Sequence, residues 1–81
     1  MERDVTQILS AATDSVDLIN GVNDGSWNVE GMEQSEINDM VQRNVDHLEI
    51  ILAYEEVVAD SSDKSSYTDA VSTGQAYIAA N

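Results

Sequence analysis

The chain has 81 residues, no cysteine and no proline, and its sixteen Asp and Glu face three Lys and Arg, for a formal charge of −13. A chain this short forms one domain, residues 1–81, and buries only about 60% of the surface its unfolded form exposes, so its core is marginal. The missing cysteine excludes disulfides, thiolate metal sites and thiol catalysis, and the acidic balance excludes direct binding to DNA, RNA or anionic lipid, which require basic surfaces.

The acids are dispersed; Glu55-Glu56 is the densest pair. The opening Met1-Glu2-Arg3-Asp4 reads as neither a signal peptide nor a membrane span, so an intracellular protein is expected. Helical periodicity dominates the chain. The first helix is expected over about residues 4–20. Its stripe is Val5, Leu9, Ala12, Val16 and Ile19, widened by Ile8, with Asp4 as N-cap and Asn20-Gly21 as the stop.

Residues 21–32, GVNDGSWNVEGM, hold three of the four glycines and read as a loop. Val22, Trp27 and Val29 fold it back over the bundle. Trp27 serves either as a plug over an open helix end or as an exposed anchor for a partner.

The second helix is expected to be the longest, about residues 33–59. Its seam is Ile37, Val41, Asn44, Leu48, Ile51, Glu55 and Val58, flanked by Met40, Val45 and Leu52. Asp39 lies four residues before Arg43, the favourable order for a helix ion pair. DSSDKSS, residues 60–66, is a polar break. The third helix, about residues 66–80, carries Tyr67, Ala70, Val71, Gly74, Tyr77 and Ile78, with Ser65 or Ser66 as cap. Gly74 inside it suits close approach of a neighbour. The fold class is all-α: a small antiparallel three-helix arrangement with a long central helix and a Gly/Trp-containing loop after helix 1. At about 40 Å against about 25 Å for its neighbours, the central helix is expected to leave part of its stripe uncovered. The Trp27 loop or a second copy of the chain would then cover it.

The sequence offers little for chemistry. His47 is the only histidine, and Arg43, Asn44, Ile50 and Ile51, one turn away, include no nucleophile. No catalytic residue is expected. One histidine cannot make a zinc site. An EF-hand register with Gly25 at the sixth position puts Val22 third and Gly31 twelfth, so calcium ligands are missing. No metal, cofactor or small-molecule substrate is expected. Asn44 on the apolar seam reads as a ligand contact, as a buried amide that fixes register, or as a half-buried position together with Glu55. His47 is expected at the seam's edge, sharing hydrogen bonds with Asn44. Ile51 is the position where a charge should break self-association.

VQRNVDHLEIILA, residues 41–53, followed by YTDAVSTGQAYIAAN, residues 67–81, resembles small uncharacterised proteins of tailed bacteriophages, marine ones especially. The pattern is an Arg-Asn-Val-x-His-Leu-Glu helix, a polar turn and a last helix containing Ala and Gly. It covers about the C-terminal half. The resemblance implies a phage-derived protein, in the host cytoplasm or the virion, and transfers no activity to any residue. The expected function is non-catalytic: a small acidic helical protein acting through contacts with a protein partner or with itself, in a phage particle or its assembly. The alternative is an acidic inhibitor that imitates nucleic acid and blocks a DNA-binding host protein.

Overall fold

The structure, a computed structural model, describes residues 5–53 and 64–81, the side chains of residues 5, 6, 8 and 9 excepted. Among the described residues three helices pack together, each touching both others: α1 Val5–Asp24, α2 Gln34–Leu52 and α3 Lys64–Ala80. No strand occurs among the described residues.

Among the described side chains of α1, Ala12, Ser15, Ile19 and Val22 are buried, again stepping by three and four. The core therefore meets this helix through Ser15, and the expected Val16 sits at the edge, partly buried beside it. Asp4 and the side chains of Val5, Ile8 and Leu9 lie outside the described residues. The helix does not stop at Asn20-Gly21. It runs a further turn, which brings Val22 into the core. The left-handed residue that ends it is Gly25, with φ +85°. Two backbone donors close the end: Ser26 N–H bonds to Asp24 Oδ1 at 2.8 Å, and Trp27 N–H reaches back to the Gly21 carbonyl at 3.0 Å. The side-chain and backbone hydrogen bonds from Ser26 hold the Asp24 carboxyl below its ordinary pKa.

A second left-handed glycine, Gly31 with φ +82°, turns the chain into α2. There Glu33 N–H donates to Glu36 Oε1 at 3.0 Å, satisfying a backbone group that the first helical turn leaves without a partner. Val29 and Met32 pack against the core on the way.

Along α2, Ile37, Val41, Val45, Leu48 and Ile51 are buried, each worth about 1.5–3 kcal/mol of apolar burial. Val45, expected at the flank, is fully buried, while Asn44 is only half-buried. Within the described residues the helix closes at Leu52, ahead of the expected residue 59; Glu55, Val58 and most of the polar break lie outside them. The three described helices have 20, 19 and 17 residues. The part of the expected stripe beyond Ala53 lies outside the described residues.

Helix α3 starts at Lys64, which puts Ser65 and Ser66 inside its first turn instead of at its cap. Tyr67, Ala70 and Gly74 face inward, and Tyr67 is among the largest wholly buried side chains. Gly74 sits where all three helices meet. A Cβ there would lie 2.5 Å from Val45 Cγ2, 3.3 Å from Val41 Cγ1 and 3.4 Å from Ile19 Cγ2. The missing methyl lets valine and isoleucine side chains reach the α3 backbone. At the rim, Gln34 Nε2 donates to Tyr77 Oη at 2.9 Å.

Gly74→Ala raises helix propensity yet forces a methyl into Val45, and overpacking of this kind typically costs about 1–3 kcal/mol. Urea denaturation should show that loss. An unchanged or higher midpoint would mean that the helices do not close over Gly74 as described.

Candidate functional site

The polar residues that stand out in the sequence converge on one point between α1 and α2. Ser15, on the inner face of α1, is 3% exposed. Its Oγ donates to Asn44 Oδ1 at 2.8 Å and lies 3.0 Å from His47 Nδ1. The Asn44 amide is fixed at its other end, where Nδ2 donates to the Met40 carbonyl at 2.8 Å. Asn44 and His47, on adjacent turns of α2, thus meet through a residue of the opposite helix.

Counting protons assigns the roles. With Nδ2 directed at Met40, the Asn44 oxygen faces Ser15 and can only accept. The serine hydroxyl has a single proton, and Asn44 takes it. His47 Nδ1 must then carry a hydrogen and donate to the serine oxygen, since two lone pairs would otherwise face each other. In the neutral ring Nε2 holds the free lone pair. A proton added at Nε2 leaves the Nδ1–H···Oγ bond in place.

This assignment bears on chemistry. An activated serine nucleophile donates its proton to a basic ring nitrogen. Here the ring donates to the serine, whose proton points to an amide, and the serine is shielded from solvent. The geometry is that of a structural network, in which the buried Ser15 hydroxyl and the Asn44 amide find the partners that burial demands.

The other expected positions are scattered. Trp27 is 40% exposed, and its Cβ and Cε3 lie 3.2 and 3.1 Å from where a Gly21 Cβ would stand. The indole lies across the glycine near the end of α1, partly covered and partly open. Ile51, at 3% exposure, is a core residue, so a charge there would test the fold before it tested association. Its neighbour Ile50, not singled out in the sequence, is 57% exposed, more open than Trp27. Glu55 lies outside the described residues. The Arg43–Asp39 pair forms at 2.8 Å on the open surface, where such a pair adds little stability. Among the described residues no cluster of three or more His, Asp or Glu is placed to hold a metal ion, and no helix is long and apolar enough to cross a membrane.

Ser15 is the member of the network that the sequence expectation leaves out. Its signal was its spacing, three residues after Ala12 and four before Ile19, on the same stripe. Comparison with family models, with characterised proteins and with solved structures gives no match.

Long-range ¹H–¹⁵N NMR of the neutral His47 ring should find the hydrogen on Nδ1. A spectrum with Nε2 protonated would refute the proton assignment. Gly21→Ala should lift Trp27 off the helix and shift its emission to the red, a clean signal because the chain has one tryptophan. Unchanged emission would mean that the indole does not rest on Gly21.

Proposed function

We propose that this chain works by protein–protein contact, without chemistry of its own, and that its partner is a basic protein. One observation carries the proposal. Every Asp and Glu whose side chain the structure describes is exposed, on all three helices and the loop. The two described cations are Arg43 and Lys64, and Arg43 is bound to Asp39. Over the described residues such a surface is predominantly negative. It repels nucleic acid, anionic membrane and a second copy of itself, and it accelerates encounter with a positively charged partner. The His47 Nδ1 and the Ser15 hydroxyl are engaged in the contact between α1 and α2.

The likeness of residues 41–53 and 67–81 to tailed-phage proteins extends the proposal to a role in a phage particle or its assembly, in the host cytoplasm or the virion. Imitation of nucleic acid is the narrower version in which the basic partner is a DNA-binding host protein. It is favoured by the exposed carboxylates of Glu36, Asp39, Asp46 and Glu49 along α2. The Asp39–Arg43 pair partly neutralises that row.

The immobilised chain should retain a basic protein from a lysate of its own cell at low salt and release it as salt rises. Combined Asp14→Lys, Asp17→Lys and Asp69→Lys, all exposed, should weaken retention about tenfold. Release by added DNA would select the mimicry version. Capture indifferent to salt and to charge reversal would refute the proposal. So would an enzymatic turnover that His47→Ala abolishes with the fold intact.

A further inference from the structure

We infer that the first half of α2 carries a docking groove for a cationic amphipathic helix of another protein. The inference rests on the reading above, that the partner is basic, and adds where and in what form it binds. The groove has a volume of about 520 Å³ and is lined by Met32, Glu36, Asp39, Met40, Arg43 and Asn44. Glu36, Met40 and Asn44 step by four and form one line up the side of α2, and Met32, ahead of the helix, lines the same groove. Asp39 and Arg43 form a second line beside it.

Each part of this lining has a use for such a partner. Met32 and Met40 are partly buried and give the groove an apolar, adaptable floor, since unbranched thioethers reshape easily around an incoming side chain. Asn44 gives the floor a fixed end, because its amide is tied to Ser15 and to the Met40 carbonyl. Less ordering is then required on binding. The edge holds the exposed carboxylates of Glu36 and Asp39 against one guanidinium, Arg43, which Asp39 already binds at 2.8 Å. The edge is therefore net acidic on a chain of charge −13.

Charge selects the occupant. A second copy would bring another −13 to an acidic edge. A cationic helix complements that edge. The two partly buried methionines offer the groove's apolar contact, and a helix brings apolar anchors every three or four residues to meet them. In that arrangement one or two apolar side chains enter between the methionines while Lys or Arg on either side lie over Glu36 and Asp39.

The test uses a synthetic peptide of fourteen Leu and Lys residues, leucines at three/four spacing, and a control of the same composition in alternating order. The full chain carries ¹³C-methyl methionine. Titration should shift the Met32 and Met40 methyls saturably with the helical peptide, and much less with the control. Affinity should fall with salt and drop about tenfold in Met40→Lys. Because Met40 also touches the core, Glu36→Gln provides a second variant. It keeps an acceptor for Glu33 N–H while removing one charge, and should weaken binding about two- to threefold. Binding that leaves both methyls unmoved would overturn the groove and leave the basic-partner reading intact. No binding by the helical peptide would overturn the inference even where a basic protein is captured from lysate. Methyl shifts that grow with chain concentration alone would assign the groove to a second copy.

Discussion

A single buried proton organises the contact between α1 and α2. Ser15 stands inside the bundle with one hydrogen to give, and the Asn44 amide, fixed by the Met40 carbonyl, can only receive it. The tautomer of His47 follows from that, and so does the relative placement of the two helices, because the three side chains meet only in one register. Apolar packing alone tolerates small slides of one helix on another. A hydrogen-bond network does not, since the buried Ser15 hydroxyl, if displaced, would be left dry at a cost of about 1–3 kcal/mol. In a domain this small that is a large share of the total stability.

The opposite side of the bundle is fixed by an absence of atoms. Gly74 gives Val45, Val41 and Ile19 direct access to the α3 backbone, and Tyr67 and Ala70 complete the same face. One flank of α2 is thus set by polar complementarity and the other by close apolar contact. This division explains why Asn44 and Val45, adjacent in sequence, have different surroundings: Asn44 looks toward α1, and Val45 looks toward α3.

How much of this was legible in the sequence depended on the scale of the question. Three helices, and most of their inward residues, follow from apolar steps of three and four. Neighbouring positions on a helix wheel were harder to separate. Val16 is the more apolar choice beside Ser15, but the stripe turns slightly from one helix to the next, and only the partner surface decides which of the two faces inward. The end of α1 was missed because two C-cap signals compete, Asn20-Gly21 and Asp24-Gly25. The later one prevails because the extra turn buries Val22 and the Ser26 and Trp27 amides find acceptors. At the candidate site, Asn44 and His47 announced themselves as polar groups at an apolar seam. Their common partner did not, because a lone serine in a helix carries no mark of the contact it makes across thirty residues of chain. Trp27 remains between its two expected roles, resting on Gly21 with much of its ring open.

What the protein presents outward is carboxylate, and what it retains inward is the hydrogen-bonded Ser15, Asn44 and His47 network. The proposed role as an acidic binding module rests on these two facts together. The structural half is tested most directly by a double-mutant cycle in urea denaturation with Ser15→Ala, Asn44→Ala and the pair. The network described here predicts a coupling energy of about 0.5–3 kcal/mol, the second substitution costing less once the first is made. Losses that simply add, within about 0.3–0.5 kcal/mol, would show that Ser15 and Asn44 do not depend on one another and would contradict the account.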